Sequence, residues 1–316
     1  MNYCYRLVIN LIIIIAISCF IPIFPAYSSS DSNQFKADDF LQLGVKDIQL
    51  SNYIKAVKYF SQAIDLNNNF AAAYSNRWLA HLQLEEYHNA VADCTVALNF
   101  LPDNIEAYLN RGLAEYKLGN YQAAVWDSNR AIQIRPHDFR AYYNRGIANA
   151  ALKNHQQAIQ DYNLALTQTP QLLTASLGDI YNDRGLVNLE LQNVPAALLD
   201  FSKAIRLNSA DDRAYFNRGC ACTRNKDNWG ALRDFNQVVK LKPESAIAYV
   251  NRGVAYHNLG YEQAAIKDLQ TAAAYFINRK ETIAYQRTIK LIKVVQQQMT
   301  RKVEVAVKLG IGDWVL

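Results

Sequence analysis

The chain has 316 residues, 51% of them hydrophobic, enough to bury a large core as two ordinary domains or as one extended repeat domain. Lys and Arg exceed Asp and Glu by 33 to 28, a formal charge of +5 that reads as spread along the length with no long basic run, which excludes a nucleic-acid stripe. The five cysteines, Cys4, Cys19, Cys94, Cys220 and Cys222, form an odd and uneven set that excludes a disulfide framework.

The N-terminus begins with one cation, Arg6, followed by an apolar stretch from Leu7 to Phe20, then Pro22, Pro25 and small residues ending at Ser28 to Ser30. A short positive region, an apolar centre and Ala26 two residues before Ser28 describe an export signal cleaved after Ser28. The same stretch is long enough to remain as a membrane anchor over residues 7–24. Ala16-Ile17-Ser18-Cys19 also resembles a lipoprotein box that would lipidate Cys19, although the residues after it are too apolar for a good mature terminus. These readings place the mature chain in a periplasm, a thylakoid lumen or a cell envelope, or hold it at a membrane.

From Ala37 onward the chain carries an internal ruler. Asn-Arg-Gly or a near copy recurs around Arg77, Arg111, Arg145, Arg184, Arg218 and Arg252, a spacing of 34 broken once by five extra residues around Leu173 to Leu177. Such a period marks a solenoid. Three residues before each arginine stands a tyrosine, from Tyr74 to Tyr249, and thirteen after it an alanine, from Ala90 to Ala265. Pro102, Pro136, Pro170 and Pro243 stop four helices. A weaker first copy holds Phe40, Gly44, Ala56, Phe60 and Ala63 in register, with Leu43 at the arginine place. Each copy predicts two antiparallel helices with small alanines at their contact, and Gly119 and Gly260 supply turns.

The pattern of aromatic, glycine, alanine, aromatic, alanine and proline resembles the tetratricopeptide repeat family, in bacterial and especially cyanobacterial style. The resemblance implies an all-α fold, a right-handed α-solenoid of seven helix pairs at 37–70, 71–104, 105–138, 139–172, 178–211, 212–245 and 246–279. Departures are local: Trp78 replaces a glycine, while Cys94 and Ser128 replace the later aromatic. Beyond the repeats, Tyr285, Ile289, Ile292, Val295 and Met299 predict a capping helix over 280–300. The tail, 301–316, alternates Val303, Val305 and Val307 and reads as a short strand, a disordered end or a segment docked on a partner.

No metal cluster, phosphate loop or nucleophile motif occurs, and the histidines are scattered singly, so the expectation is no enzyme, no metal and no cofactor. Cys220 and Cys222, two apart on a helix, point to different faces and are read as core. Sixteen residues after each arginine stands an aspartate: Asp93, Asp127, Asp161, Asp200, Asp234 and Asp268. The first copy lacks both partners, so each arginine is expected to bridge its two helices to its own aspartate.

Before each arginine lie Asn76, Asn110, Asn144, Asp183, Asn217 and Asn251. In the family the matching place faces a concave groove, and the resemblance implies an asparagine ladder that donates to and accepts from a peptide backbone, with Tyr116, Tyr143 and Phe216 as pocket walls. The alternative is that these side chains pack or cap and touch no ligand. A carboxylate clamp is excluded where Leu79, Leu113 and Ile147 stand in place of its polar residues. The expected function is a protein-protein interaction scaffold that binds extended peptides or client proteins and assists assembly of an envelope or photosynthetic complex. A recruiting subunit of an enzyme complex and a nucleic-acid-binding helical repeat are the other readings. The partners are other proteins or peptides, and a membrane only if the N-terminal segment is retained.

Overall fold

The computed structural model describes residues 36–308, and side chains as far as Arg301. The export or anchor segment, Cys4 and Cys19, and the tail beyond Lys308 lie outside the described residues. The described residues form fifteen helices, which divide into two compact units at Gln171 and Leu172. The first unit holds α1 (Ala37–Gln49), α2 (Tyr53–Leu66), α3 (Ala71–Gln83), α4 (Tyr87–Phe100), α5 (Ile105–Lys117), α6 (Tyr121–Ile134), α7 (Phe139–Ala151) and α8 (His155–Gln168). The second holds α9 (Thr174–Glu190), α10 (Val194–Leu207), α11 (Asp212–Arg224), α12 (Asn228–Leu241), α13 (Ala246–Asn258), α14 (Glu262–Asn278) and α15 (Thr282–Lys308). Each unit is a run of antiparallel hairpins stacked side by side, the all-α solenoid arrangement.

The first helix of every hairpin ends in the same way. Ser51, Glu85, Gly119, Lys153, Gln192, Lys226 and Gly260 all have positive φ, 59° to 86°, and follow the 34-residue ruler. The next amide reaches back five residues, as in Asn120 to Glu115 (2.9 Å) and Asn154 to Asn149 (2.9 Å). This is the Schellman geometry, which satisfies the orphan carbonyls of the helix end. The residue that completes it also caps the second helix, and Asn193 and Asp227 accept from Ala196 and Gly230 there. One left-handed residue is therefore the whole turn.

Packing inside a hairpin explains the glycine column. A Cβ at Gly146, Gly185 or Gly219 would lie 2.8, 2.6 or 2.7 Å from the ring of Tyr162, Phe201 or Phe235. These rings are fully buried, each contributing about 1.5–3 kcal/mol. In the second hairpin the sizes are exchanged: Trp78 occupies the glycine column and the small, buried Cys94 the ring column. At Gly112, where Ser128 replaces the ring, an added Cβ would meet the Asp127 Cβ at 3.2 Å and the Ala124 carbonyl at 3.4 Å.

Three sequence expectations are revised. Of the five extra residues only one lengthens the link: the other four add a turn to α9, which has 17 residues where the other first helices have 13. Capping and tail segments are not separate up to Lys308, because α15 is one helix of 27 residues and Val303, Val305 and Val307 lie in it and not in a strand. Ile292 and Val295 of α15 close the last hairpin against Leu269 and Phe276. Nor is the charge spread evenly. Residues 1–278 carry 25 basic and 25 acidic side chains, and residues 279–316 carry 8 and 3, so the excess is confined to the end.

Candidate functional site

Each arginine of the repeat ruler lies on a first helix with its guanidinium turned toward the second helix of its own hairpin. Arg77 Nε and Nη2 donate to the two Asp93 oxygens at 2.9 and 2.7 Å, and Arg218 to those of Asp234 at 2.7 and 2.7 Å. Arg252 grips Asp268 at 2.6 and 2.8 Å, and Arg184 grips Asp200 at 2.9 and 2.5 Å. In Arg111 and Arg145 the Nη2 bond to Asp127 or Asp161 is 2.7 Å and Nε is shared between both oxygens. The aspartate side chains are 0–8% exposed and the arginines 16–20%. All six pairs are thus bidentate and buried on the acid side, the geometry in which charge-assisted bonds are strongest.

The fork has a third tine that sequence reasoning missed. Nη1 of Arg77, Arg111, Arg145, Arg218 and Arg252 donates backward to Ser61, Thr95, Asn129, Ser202 and Asn236, at 2.7–3.2 Å. Each acceptor lies sixteen residues before its arginine, on the second helix of the preceding hairpin. One guanidinium therefore ties two helices of one hairpin and that hairpin to its neighbour. The signal was present: the acceptor stands two residues after the aspartate place of the preceding repeat, which Tyr59 fills in the first copy, and it is Ser, Thr or Asn in all five cases. The tyrosine column completes the unit, with each arginine carbon 5.2–5.8 Å from the ring of Tyr74, Tyr108, Tyr142, Tyr181, Tyr215 or Tyr249.

Further bridges between hairpins come from residues 34 apart. Arg140 donates to Glu106 at 2.7 and 2.9 Å while also gripping Asp138, and Arg213 repeats this with Asp179 at 2.6 Å and Asp211. Burial pushes the Asp138 carboxyl up, but its hydrogen bonds to Arg140 and the charges of Arg140 and Arg135 together hold it below the usual range.

The third hairpin differs from the fourth and fifth. Asn149 and Asn188, four residues after their arginines, donate to Asp161 and Asp200 at 3.0 Å. The same place holds Glu115, which offers no such donor when ionised. Burial, and then the charge of Glu115, raise the Asp127 carboxyl against the opposing pull of Arg111. A cavity of about 200 Å³ opens here, lined by Thr95, Arg111, Glu115, Ala123, Trp126 and Asp127.

The asparagine column lies on the first helices but is not uniform. Asn76, Asn110, Asn144 and Asn251 are half-buried, whereas Asp183 and Asn217 are buried. Asn76 and Asn251 donate to the carbonyls of Ala72 and Ile247 one turn back, both at 2.8 Å. Asn144 donates to the Leu109 carbonyl of the preceding hairpin at 3.3 Å, and Asn217 to the Asn182 side chain at 2.9 Å. Of the suggested pocket walls, Phe216 is instead core, 2% exposed and packed edge-on to Phe235. Tyr143 is half-buried against Tyr162, and Tyr116 against Tyr121. Cys222 is a buried free thiol and so is not bonded to Cys220, which is also buried. Among the described residues no helix is long and apolar enough to cross a membrane.

Models of tetratricopeptide repeats match residues 112–153, 139–172 and 230–278. A comparison with curated proteins finds no match. Among solved structures, a tetratricopeptide repeat protein from Parabacteroides merdae ATCC 43184 superposes with a TM-score of 0.61 at 19% identity, covering 82% of this chain and 98% of that one. The APC/C hetero-tetramer Cut9-Hcn1 gives a TM-score of 0.62 at 18% identity, covering 70% of this chain and only 43% of that one. YrrB, described as a TPR protein with an unusual peptide-binding site, gives 0.50 at 21% identity over 62% of this chain and 97% of its own. At these identities the likeness is one of fold. The chain thus carries tetratricopeptide repeats over residues 112–172 and 230–278, and its hairpins share the fold of solved tetratricopeptide repeat proteins.

Proposed function

We propose that this chain is a non-catalytic scaffold that holds extended segments of other proteins along its first helices. The observation that carries the reading is the row of half-buried carboxamides at one place of successive first helices, with Asn76, Asn110 and Asn144 in the first unit. Asn76 and Asn144 donate their amide N–H groups to backbone of their own helix and of the preceding hairpin, and the carboxamide oxygen of such a rung can accept from a peptide N–H. The general use of tetratricopeptide repeats in protein-protein interaction, and the peptide-binding site for which YrrB is described, support the same reading. In the second unit the accessible rung is Asn251, since Asp183 and Asn217 are buried.

One rung contributes about 0.5–1.5 kcal/mol net, so several act together and the held segment is read more by its backbone than by its side chains. The test is crosslinking of the tagged chain in its host, identification of the captured peptides, and titration of one of them against Asn110→Ala/Asn144→Ala. The pair should weaken binding roughly 5- to 100-fold. Unchanged affinity, or no reproducible partner, would count against the reading. The same purification, with mass spectrometry of the mature N-terminus, distinguishes a chain exported after cleavage at Ser28 from one anchored by residues 7–24. It also separates an assembly role in an envelope or photosynthetic complex from recruitment to an enzyme.

A further inference from the structure

We infer that the outer face of α15 is an electrostatic docking surface for an anionic membrane. The whole formal charge of the chain sits in this region: α15 holds Arg287, Lys290, Lys293, Arg301, Lys302 and Lys308 against the single acid Glu304. Elsewhere the arginines of the ruler are each matched to a buried aspartate, so their charge is spent inside the hairpins. On α15 the inward side is apolar, with Ile292 at 7% and Val295 at 0% exposure packed against α14. Lys290, Lys293 and Arg301 are exposed and have no ion pair among the described residues. The acids of the adjoining α14 are occupied, Asp268 by Arg252 and Glu262 by His257.

The form of this face selects the partner. A helix of 27 residues is about 40 Å long. Along it the exposed cations are interleaved with protruding apolar side chains, Ile283 at 69% and Val294 at 45% exposure. No aromatic ring is exposed on the described part of the face, so it offers no stacking platform to single-stranded nucleic acid. The face carries cations and single apolar side chains, and that matches a broad anionic surface with an apolar layer just beneath, the makeup of a bilayer with acidic headgroups. This surface is separate from the asparagine row and does not depend on it.

The experiment is vesicle flotation of the full chain on phosphatidylcholine alone and on phosphatidylcholine with about 30% phosphatidylglycerol, at low and high salt. Any contribution of the N-terminal apolar segment is common to both vesicles, so their ratio reports the electrostatic part. The parent should partition at least about tenfold better onto the anionic vesicles at low salt, and K290Q/K293Q/R301Q should lose most of that ratio. A variant that removes three cations elsewhere, K55Q/K58Q/K242Q, should keep it. Circular dichroism melts establish that both variants are folded. Equal partition on the two vesicles, or a triple variant that behaves like the parent, overturns the proposal. So does tighter binding to polyglutamate or to single-stranded nucleic acid than to the vesicles, since that assigns the face to a different partner.

Discussion

Replacing Arg145 with alanine tests the fork directly. The substitution removes the bonds to Asp161 and to Asn129 of the preceding hairpin, and leaves Asp161 at 0% side-chain exposure. Breaking a buried pair from one side costs about 3–5 kcal/mol, mostly through the stranded charge. Two donors remain on Asp161, from Asn149 at 3.0 Å and Gln157 at 3.2 Å, and the arginine itself is 19% exposed. Both features put the expected loss near the low end, about 3 kcal/mol. The assay is urea unfolding followed by circular dichroism, with Asp161→Asn and the double variant completing a cycle. If the stranded charge is the cause, Arg145→Ala/Asp161→Asn should be more stable than Arg145→Ala alone. A loss under about 1 kcal/mol, as for an exposed pair, or a double variant weaker than the single one, would refute the argument.

Gly185→Ala should destabilise by about 1–3 kcal/mol despite the better helix propensity of alanine, because its Cβ meets the Phe201 ring at 2.6 Å; Phe201→Leu in the same chain should recover part of the loss in thermal melts. At the turns, Lys153→Gly should be neutral to about 1 kcal/mol stabilising because it relieves a left-handed lysine at φ 65°. Gly119→Ala, at φ 83°, should cost about 1 kcal/mol in the same melts. For Asp127 the sign follows from a folded carboxyl raised above its unfolded value. The folded state takes up a proton first, so this group destabilises once ionised, and stability at this site rises as pH falls through the folded value. Asp127→Asn should remove that component, measured as a flatter stability profile from the ordinary aspartate range upward, whereas a profile identical to the parent would contradict the assignment.

The sequence by itself determined the repeat. The columns of Tyr, Arg, Gly, Ala and Asp recur at a fixed spacing, and a helical period turns each spacing into a face. Arg145 and Asp161, sixteen apart, could be read as partners because only a hairpin brings such positions together. What the sequence could not decide concerns contacts that a single repeat does not contain. The backward bond from Arg145 to Asn129 depends on how one hairpin stacks on the next, and Asn144 uses its amide on Leu109 for the same reason. Phe216 read as a groove residue because it adjoins the asparagine column, yet it packs on Phe235. Trp78 read as a departure until the ring column showed Cys94 as its counterpart in size. The extra residues before α9 and the valines after Arg301 read as link and strand, since a short apolar alternation does not identify its own period. Tertiary structure decided them: a helix already in place lets a few more residues continue it, each gaining one backbone hydrogen bond, without a new nucleation step.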